Sequence, residues 1–191
     1  MREVVVGTGR LQVRRGDITS LGRHVGAIVN AANRSLSPGG GVCGAIHTFG
    51  GPAIATECAL LGPIETGMAA ITTAGRLDAD AVIHAVGPVW EGGEADEDRF
   101  LAAAYRCSLQ LAATHGLRSI AFPSISTGIY GFPVERAAMI AIGTVAAFLK
   151  RESGVDEVLL VQFSEGDAVV YESALDRWEL MQAARSSQGA G

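Results

Sequence analysis

Five segments of this chain are nearly continuous apolar runs of strand length: VGAIVNAAN from Val25, MAAITTAG from Met68, DAVIHAVG from Asp80, RSIAFPS from Arg118 and DEVLLVQF from Asp156. A strand with one wet face alternates apolar and polar residues, whereas a continuous run belongs to a strand covered on both faces. The segments between them read as helices. Phe100, Ala104, Cys107 and Leu111 recur at helical spacing between Asp96 and His115, and Gly116 follows as a stop. Val134, Ala138, Ala141, Val145 and Phe148 do the same from Pro133 to Arg151, with Pro133 placed near the first turn. Gly166 to Arg185 gives a last helix, and GPAIATECALLG a shorter one. Covered strands alternating with amphipathic helices specify an α/β fold, a three-layer α/β/α sandwich. The opening EVVVG and LQVRR, joined through Gly-Thr-Gly, read as a hairpin, so the sheet is expected to be mixed. No linker or repeat interrupts the pattern. One domain is expected over residues 1–184, followed by a flexible tail at 185–191.

The charge balance narrows the partners. A net charge of -5 over 191 residues is not the clustered excess of Lys and Arg that nucleic acid requires, so nucleic acid is not an expected partner. Three widely spaced cysteines, Cys43, Cys58 and Cys107, contain no CxxC pair, and reduced thiols in a cytoplasmic setting are expected. No run approaches the roughly 18 apolar residues of a membrane span, and MREVVVGTGR does not resemble a secretory leader. A monomer without metal or cofactor is expected.

In a sheet of this kind ligands bind outside the carboxyl ends of the strands. Two loops lie there, Asn30 to Gly44 after AIVN and Ser124 to Pro133 after IAFP. Gly39, Gly41 and Gly44 match GxGxxG, but AANRSLSP separates them from the strand, unlike the dinucleotide fingerprint. No Lys-Ser or Lys-Thr follows, so the loop is not a Walker A sequence. Two glycine-rich strand-to-helix loops on one edge instead form a clamp. The amides at the two helix N-termini are expected to point at a shared anion, most simply a diphosphate. An acidic protein can bind such a group because these donors are neutral.

GDIT at Gly16, VNAAN at Val29, GGGVCGAIH at Gly39, HAVGPVW at His84 and AFPSISTGIYGFP at Ala121 resemble, in order and over residues 11–175, the macrodomain family. The likeness is to its MacroD-like branch, which includes bacterial O-acetyl-ADP-ribose deacetylases. The resemblance implies a six-stranded mixed sheet with ADP-ribose, free or on a modified protein, held at its crest. It assigns the adenine amino group to Asp17, with the Ile18 amide beside it, and the adenine face to Phe163. The distal ribose falls to Asn33 and Tyr130. Gly40, Gly41 and Val42 form one diphosphate loop, and Ser126, Thr127, Gly128, Ile129 and Tyr130 the other. Each residue type suits its assignment, because a carboxylate only accepts and an amide offers a ribose diol both a donor and an acceptor. Taken singly, Asp17 also reads as an Asx-turn residue, Asn30 and Asn33 as caps of loop backbone, and Phe163 as core.

The sequence departs from the branch at Cys43, where such hydrolases usually carry the Asp that orients water, and at Pro38, where they commonly have another glycine. Three readings of Cys43 follow: a thiol packed under the loop, a nucleophile or base paired with His47 one turn on, or a metal ligand. His84 reads as a satisfied core histidine, His47 as bonding loop backbone, and the Trp90 to Gly93 turn as a border of the cleft. Two functions are carried forward. One is hydrolysis of an ester at the distal ribose, with Asn33, Cys43 and Tyr130 at the reacting end and the substrate's own phosphate activating water. The other is a non-catalytic ADP-ribose reader.

Overall fold

The computed structural model describes residues 1–151 and 154–188. Its strands are β1 (Arg2–Val6), β2 (Gly9–Arg15), β3 (Val25–Ala32), β4 (Ala69–Thr73), β5 (Ala79–Val86), β6 (Ser119–Phe122) and β7 (Glu157–Gln162). They form one sheet in the order β1-β2-β7-β6-β3-β5-β4. The five inner strands run parallel, and the outer pairs β1·β2 and β4·β5 are antiparallel, so the sheet is mixed. Its strands number seven, not the six that the family resemblance implies. The opening hairpin supplies two of the seven, its first strand adding an antiparallel edge to β2.

The continuous apolar runs are continuous because neighbouring residues serve opposite layers. Val29, Ile83 and Leu160 face α3 (Glu97–Thr114), α4 (Val134–Leu149) and α5 (Glu165–Gln188). Ile28, Val82 and Leu159, one position away, face α1 (Gly41–Gly50) and α2 (Pro52–Leu61). Each large side chain removed from water here contributes about 1.5–3 kcal/mol, which is why both faces of every central strand are apolar. The last helix continues past Arg185 to Gln188, into the segment expected to be a tail, while 189–191 lie outside the described residues.

Because β2, β7, β6, β3 and β5 run the same way, their carboxyl ends share one edge. That edge carries Gly16 to Ile18, Phe163, the 123–130 loop, Asn33 and Gly87. Two fully buried tyrosines pin the root of the 123–130 loop: Tyr105 Oη donates to the Pro123 carbonyl at 3.4 Å and Tyr171 Oη lies 2.8 Å from Ser124 Oγ.

Candidate functional site

All thirteen candidate residues line a single cleft of about 630 Å³ along this edge, a volume typical of a small-molecule site. At one end the Gly16 amide donates to the Gln162 carbonyl at 2.9 Å, which sets Asp17 and Ile18 beside Phe163. Phe163 is 81% exposed; it is not core but an apolar ring left bare on the cleft. Asp17 does make the Asx turn: Oδ1 accepts from the Thr19 amide at 2.8 Å and its hydroxyl at 2.7 Å. Oδ2 has no partner among the described residues, so the turn and an incoming donor do not compete for the same oxygen.

The middle of the cleft is the start of α1. Gly40 caps the helix in an extended conformation, no side chain caps it, and no acidic residue sits in its first turn. The amides of Gly41, Val42 and Cys43 therefore face the cleft as unsatisfied donors at the positive end of the dipole. Gly44 explains how the loop closes over them: a Cβ there would lie 2.6 Å from the Gly39 carbonyl oxygen. The third glycine of the motif thus exists for close packing of loop on helix. The facing wall is Ser126 to Tyr130, with Ile129 reaching toward Gly40. This wall offers its own loop backbone. The expectation of a second helix N-terminus at the anion does not hold, because α4 starts at Val134, beyond the buried Phe132 and a proline cap without an N–H.

At the far end Asn33 is engaged with its own loop. Its Nδ2 donates to the Ser37 carbonyl at 2.9 Å, and Oδ1 accepts from the Ser37 amide at 3.1 Å and from Ser35 Oγ at 2.8 Å. Asn33 therefore caps the loop and borders the cleft at once. Cys43 is 5% exposed, with Sγ 3.6 Å from Asn30 Nδ2 and 3.8 Å from the Ser37 carbonyl. Its polar neighbours are these two groups rather than His47, which favours the packed thiol over a Cys–His pair.

Behind the cleft floor lies a buried network invisible in the sequence. Asn30 Nδ2 donates to His84 Nδ1 at 3.0 Å; His84 Nε2 then donates to Thr72 Oγ1 at 2.9 Å, and Thr72 Oγ1 donates to the Thr73 carbonyl at 3.0 Å. His84 is satisfied, as its place in a strand suggests. His47 is not as expected: its ring nitrogens have no partner among the described residues, and only its backbone carbonyl bonds the Gly51 amide. His47, Cys58 and His84 offer ligand atoms within 4.8 Å of one another. However, both His84 nitrogens are already used, by Asn30 and Thr72, and Cys58 Sγ lies at the longer distances of 3.5 Å from Nε2 and 3.8 Å from Nδ1. Burial pushes the Cys58 thiol up to about 11 and the His47 ring below its ordinary value. The trio is a neutral packed cluster rather than a preformed metal cage.

Burial, and the neighbouring His47, push His84 down to about 4. A base whose folded pKa is depressed stabilises fully above its unfolded value, and that stability is lost as pH falls toward the folded one. Wild type is expected to lose about 3 kcal/mol between about pH 6.5 and about pH 4 through this group. Urea unfolding across that window, compared with His84→Gln, checks it: equal losses in both proteins would remove His84 as the cause.

Sequence reasoning missed Gln162, Asp167 and Gly87, which also line the cleft. Gly87 carried a signal in HAVGPVW, since a Cβ there would fall 2.5 Å from Ile125 Cγ2 and 2.2 Å from Ser126 Oγ. Gln162 carried none; its amide is buried with neither atom hydrogen-bonded among the described residues.

Comparison with known proteins places the geometry. The Macro domain family model matches residues 29–141. A Macro domain-containing protein of Chlorobaculum tepidum is 56% identical over 161 residues, 84% of this chain and 92% of that one. An O-acetyl-ADP-ribose deacetylase of Klebsiella pneumoniae is 54% identical, covering 86% and 95%. The Oceanobacillus iheyensis macrodomain with ADP superposes with a TM-score of 0.89 at 37% identity, over 94% of this chain and 97% of that one.

Proposed function

The chain belongs to the Macro domain family, and from that premise we propose that its cleft binds ADP-ribose and that the protein hydrolyses esters at the distal ribose. The substrates are O-acetyl-ADP-ribose and mono-ADP-ribose carried on Asp or Glu, and the protein acts in the reducing cytoplasm, which suits its free cysteines. One observation carries the reading: the uncapped α1 start and the 126–130 loop line the same cleft as Asp17 and Phe163, which follow β2 and β7, and Asn33, which follows β3. That order along the sheet edge matches the polarity of the ligand, with base, diphosphate and reacting ribose in turn. Asp17 Oδ2 accepts from the adenine amino group, Phe163 covers the ring, and Tyr130 shields the distal ribose from bulk water.

The only carboxylates lining the cleft among the described residues are Asp17 and Asp167, the first at the base end and the second on α5. None stands beside Cys43. Water is therefore activated by a phosphate oxygen of the substrate itself. The water oxygen attacks the acyl carbon, its proton passes to that phosphate oxygen, and the ester C–O bond to ribose breaks. The leaving ribose oxygen takes that proton from the phosphate and becomes the free hydroxyl, leaving the carboxylic acid and ADP-ribose. Asn33 holds the ribose in line, a positioning role whose loss costs on the order of 10²-fold in rate.

Calorimetry with ADP-ribose beside a deacetylation assay tests this. Wild type is expected to bind and turn over, and Asn33→Ala to turn over about 10²-fold more slowly. A wild type that does not bind ADP-ribose overturns the reading, and equal rates in the two proteins remove Asn33 from the site. The missing carboxylate also favours a second reading, a reader that binds without turnover.

A further inference from the structure

The turn after β5 packs against the reacting end of the cleft: Gly87 lines it, the 90–95 stretch does not, and a buried acid organises that stretch. Glu97, the first residue of α3, is 2% exposed. Its Oε1 accepts from the Glu91 amide at 3.0 Å and the Gly93 amide at 2.9 Å, and Oε2 accepts from the Ala95 amide at 2.7 Å. Burial alone would raise this carboxyl, but its own backbone amide and those of Gly93, Glu91 and Ala95 outweigh it and hold the group down at about 2. Glu97 is thus an anion at any physiological pH. Three amides that an irregular turn would leave to water converge on one carboxylate.

The turn so held grips the cleft wall at two points. The Trp90 amide donates to the Tyr130 carbonyl at 2.8 Å, and Gly87 lies directly under Ser126 and Ile125. The Trp90 ring meets Phe132 edge-on, with centroids 4.7 Å apart, and carries the Arg136 guanidinium on its outer face at 5.2 Å. Arg136 is itself held by both oxygens of Asp98, the residue after Glu97, at 2.7 and 2.8 Å. The start of α3 therefore braces the Tyr130 segment from behind through two routes, one backbone and one side chain.

We propose that Glu97 is a positioning residue for the distal-ribose end of the cleft, acting through the Trp90 turn to fix Tyr130. The proposal rests on the ADP-ribose reading above and adds a residue that touches no ligand. Its signature is selective. ADP carries the base and the diphosphate but no distal ribose, so a displaced Tyr130, at the far end of the diphosphate loop, weakens ADP-ribose more than ADP.

Glu97→Gln tests it. The amide nitrogen of Gln would confront a backbone N–H as donor against donor, releasing part of the turn while preserving shape. The expected result is ADP binding within about twofold of wild type, ADP-ribose binding about tenfold weaker, and kcat for deacetylation reduced at least tenfold, as a displacement near 1 Å can do. Equal weakening for both ligands would reduce Glu97 to a general structural role and overturn the proposal, as would no weakening for either. Should the variant fail to fold, hydrogen exchange on wild type decides. ADP-ribose is expected to slow exchange at the Trp90, Glu91 and Gly93 amides beyond what ADP does, and identical protection by the two ligands overturns the proposal. Wild type that binds ADP but not ADP-ribose would instead sink the function on which it rests.

Discussion

Replacing Cys43 by Asp is expected to raise kcat for O-acetyl-ADP-ribose deacetylation on the order of 10²-fold, the contribution of a positioned general base. The site is prepared for the charge. Position 43 is the third residue of α1, whose first turn holds no acid, and an anion there gains about 0.3–1 kcal/mol from the helix dipole. Asn30 Nδ2, 3.6 Å from the present sulfur, supplies a donor to the new carboxylate. ADP-ribose affinity should change little, since the α1 amides are untouched. A wild type at the Asn33→Ala background, with Cys43→Asp well above it, would identify the natural protein as a reader. A folded, ligand-binding Cys43→Asp protein no faster than wild type would show that no missing base limits the reaction. Cys43→Ala completes the set: full activity excludes thiol nucleophilic chemistry.

The second large effect is expected from one methyl group. Gly44→Ala places a carbon 2.6 Å from the Gly39 carbonyl oxygen, and the contact is with backbone, which cannot rotate away. The 39–40 segment must lift from α1, and a shift approaching 1 Å in groups that hold a ligand costs on the order of 10²-fold. Unfolding stability should fall by only about 1–3 kcal/mol, the usual range for overpacking. Gly143→Ala is the control, because that helical position has nothing within 4 Å and the change should stabilise by about 0.5–1 kcal/mol. Calorimetry and urea unfolding on the two variants separate local displacement from a general effect of replacing glycine. Unchanged ADP-ribose affinity in Gly44→Ala would show that the loop position is not what binds.

Much of this architecture was legible because its causes are local. Each of the seven segments read as strands forms one, since a run such as AIVN is apolar at both alternating positions and a strand serving two layers requires that. The candidate residues converge on one cleft because they follow strands, and parallel strands end together. What escaped the sequence depends on contacts between distant segments. Gln162 looks like the end of an apolar run, yet its side-chain amide is buried with no partner among the described residues. Glu97 looks like an ordinary acid at a helix start, and only the turn folded over it shows that it serves three amides. The expected second helix N-terminus at the anion was plausible from Gly and Pro placement, but buried Phe132 draws the chain away before α4 begins. His47 and Cys58 lie eleven positions apart, and nothing in their spacing announces that both pack on His84.

Among the described residues, no Lys or Arg lines the cleft, and the chain as a whole carries a net charge of -5. Attraction that begins only at contact has no reach beyond the roughly 8 Å over which charges are felt at physiological salt. Such a site holds no cationic side chain whose counterions binding would release, so its affinity lacks the steep fall with salt that basic sites show. It is also blind at a distance to nucleic acids and other abundant polyanions, which basic sites attract from afar. The cost is speed: capture proceeds at the unsteered rate, without the large enhancement that long-range attraction supplies. Selectivity in a crowd of phosphates is thus obtained by giving up the long-range search.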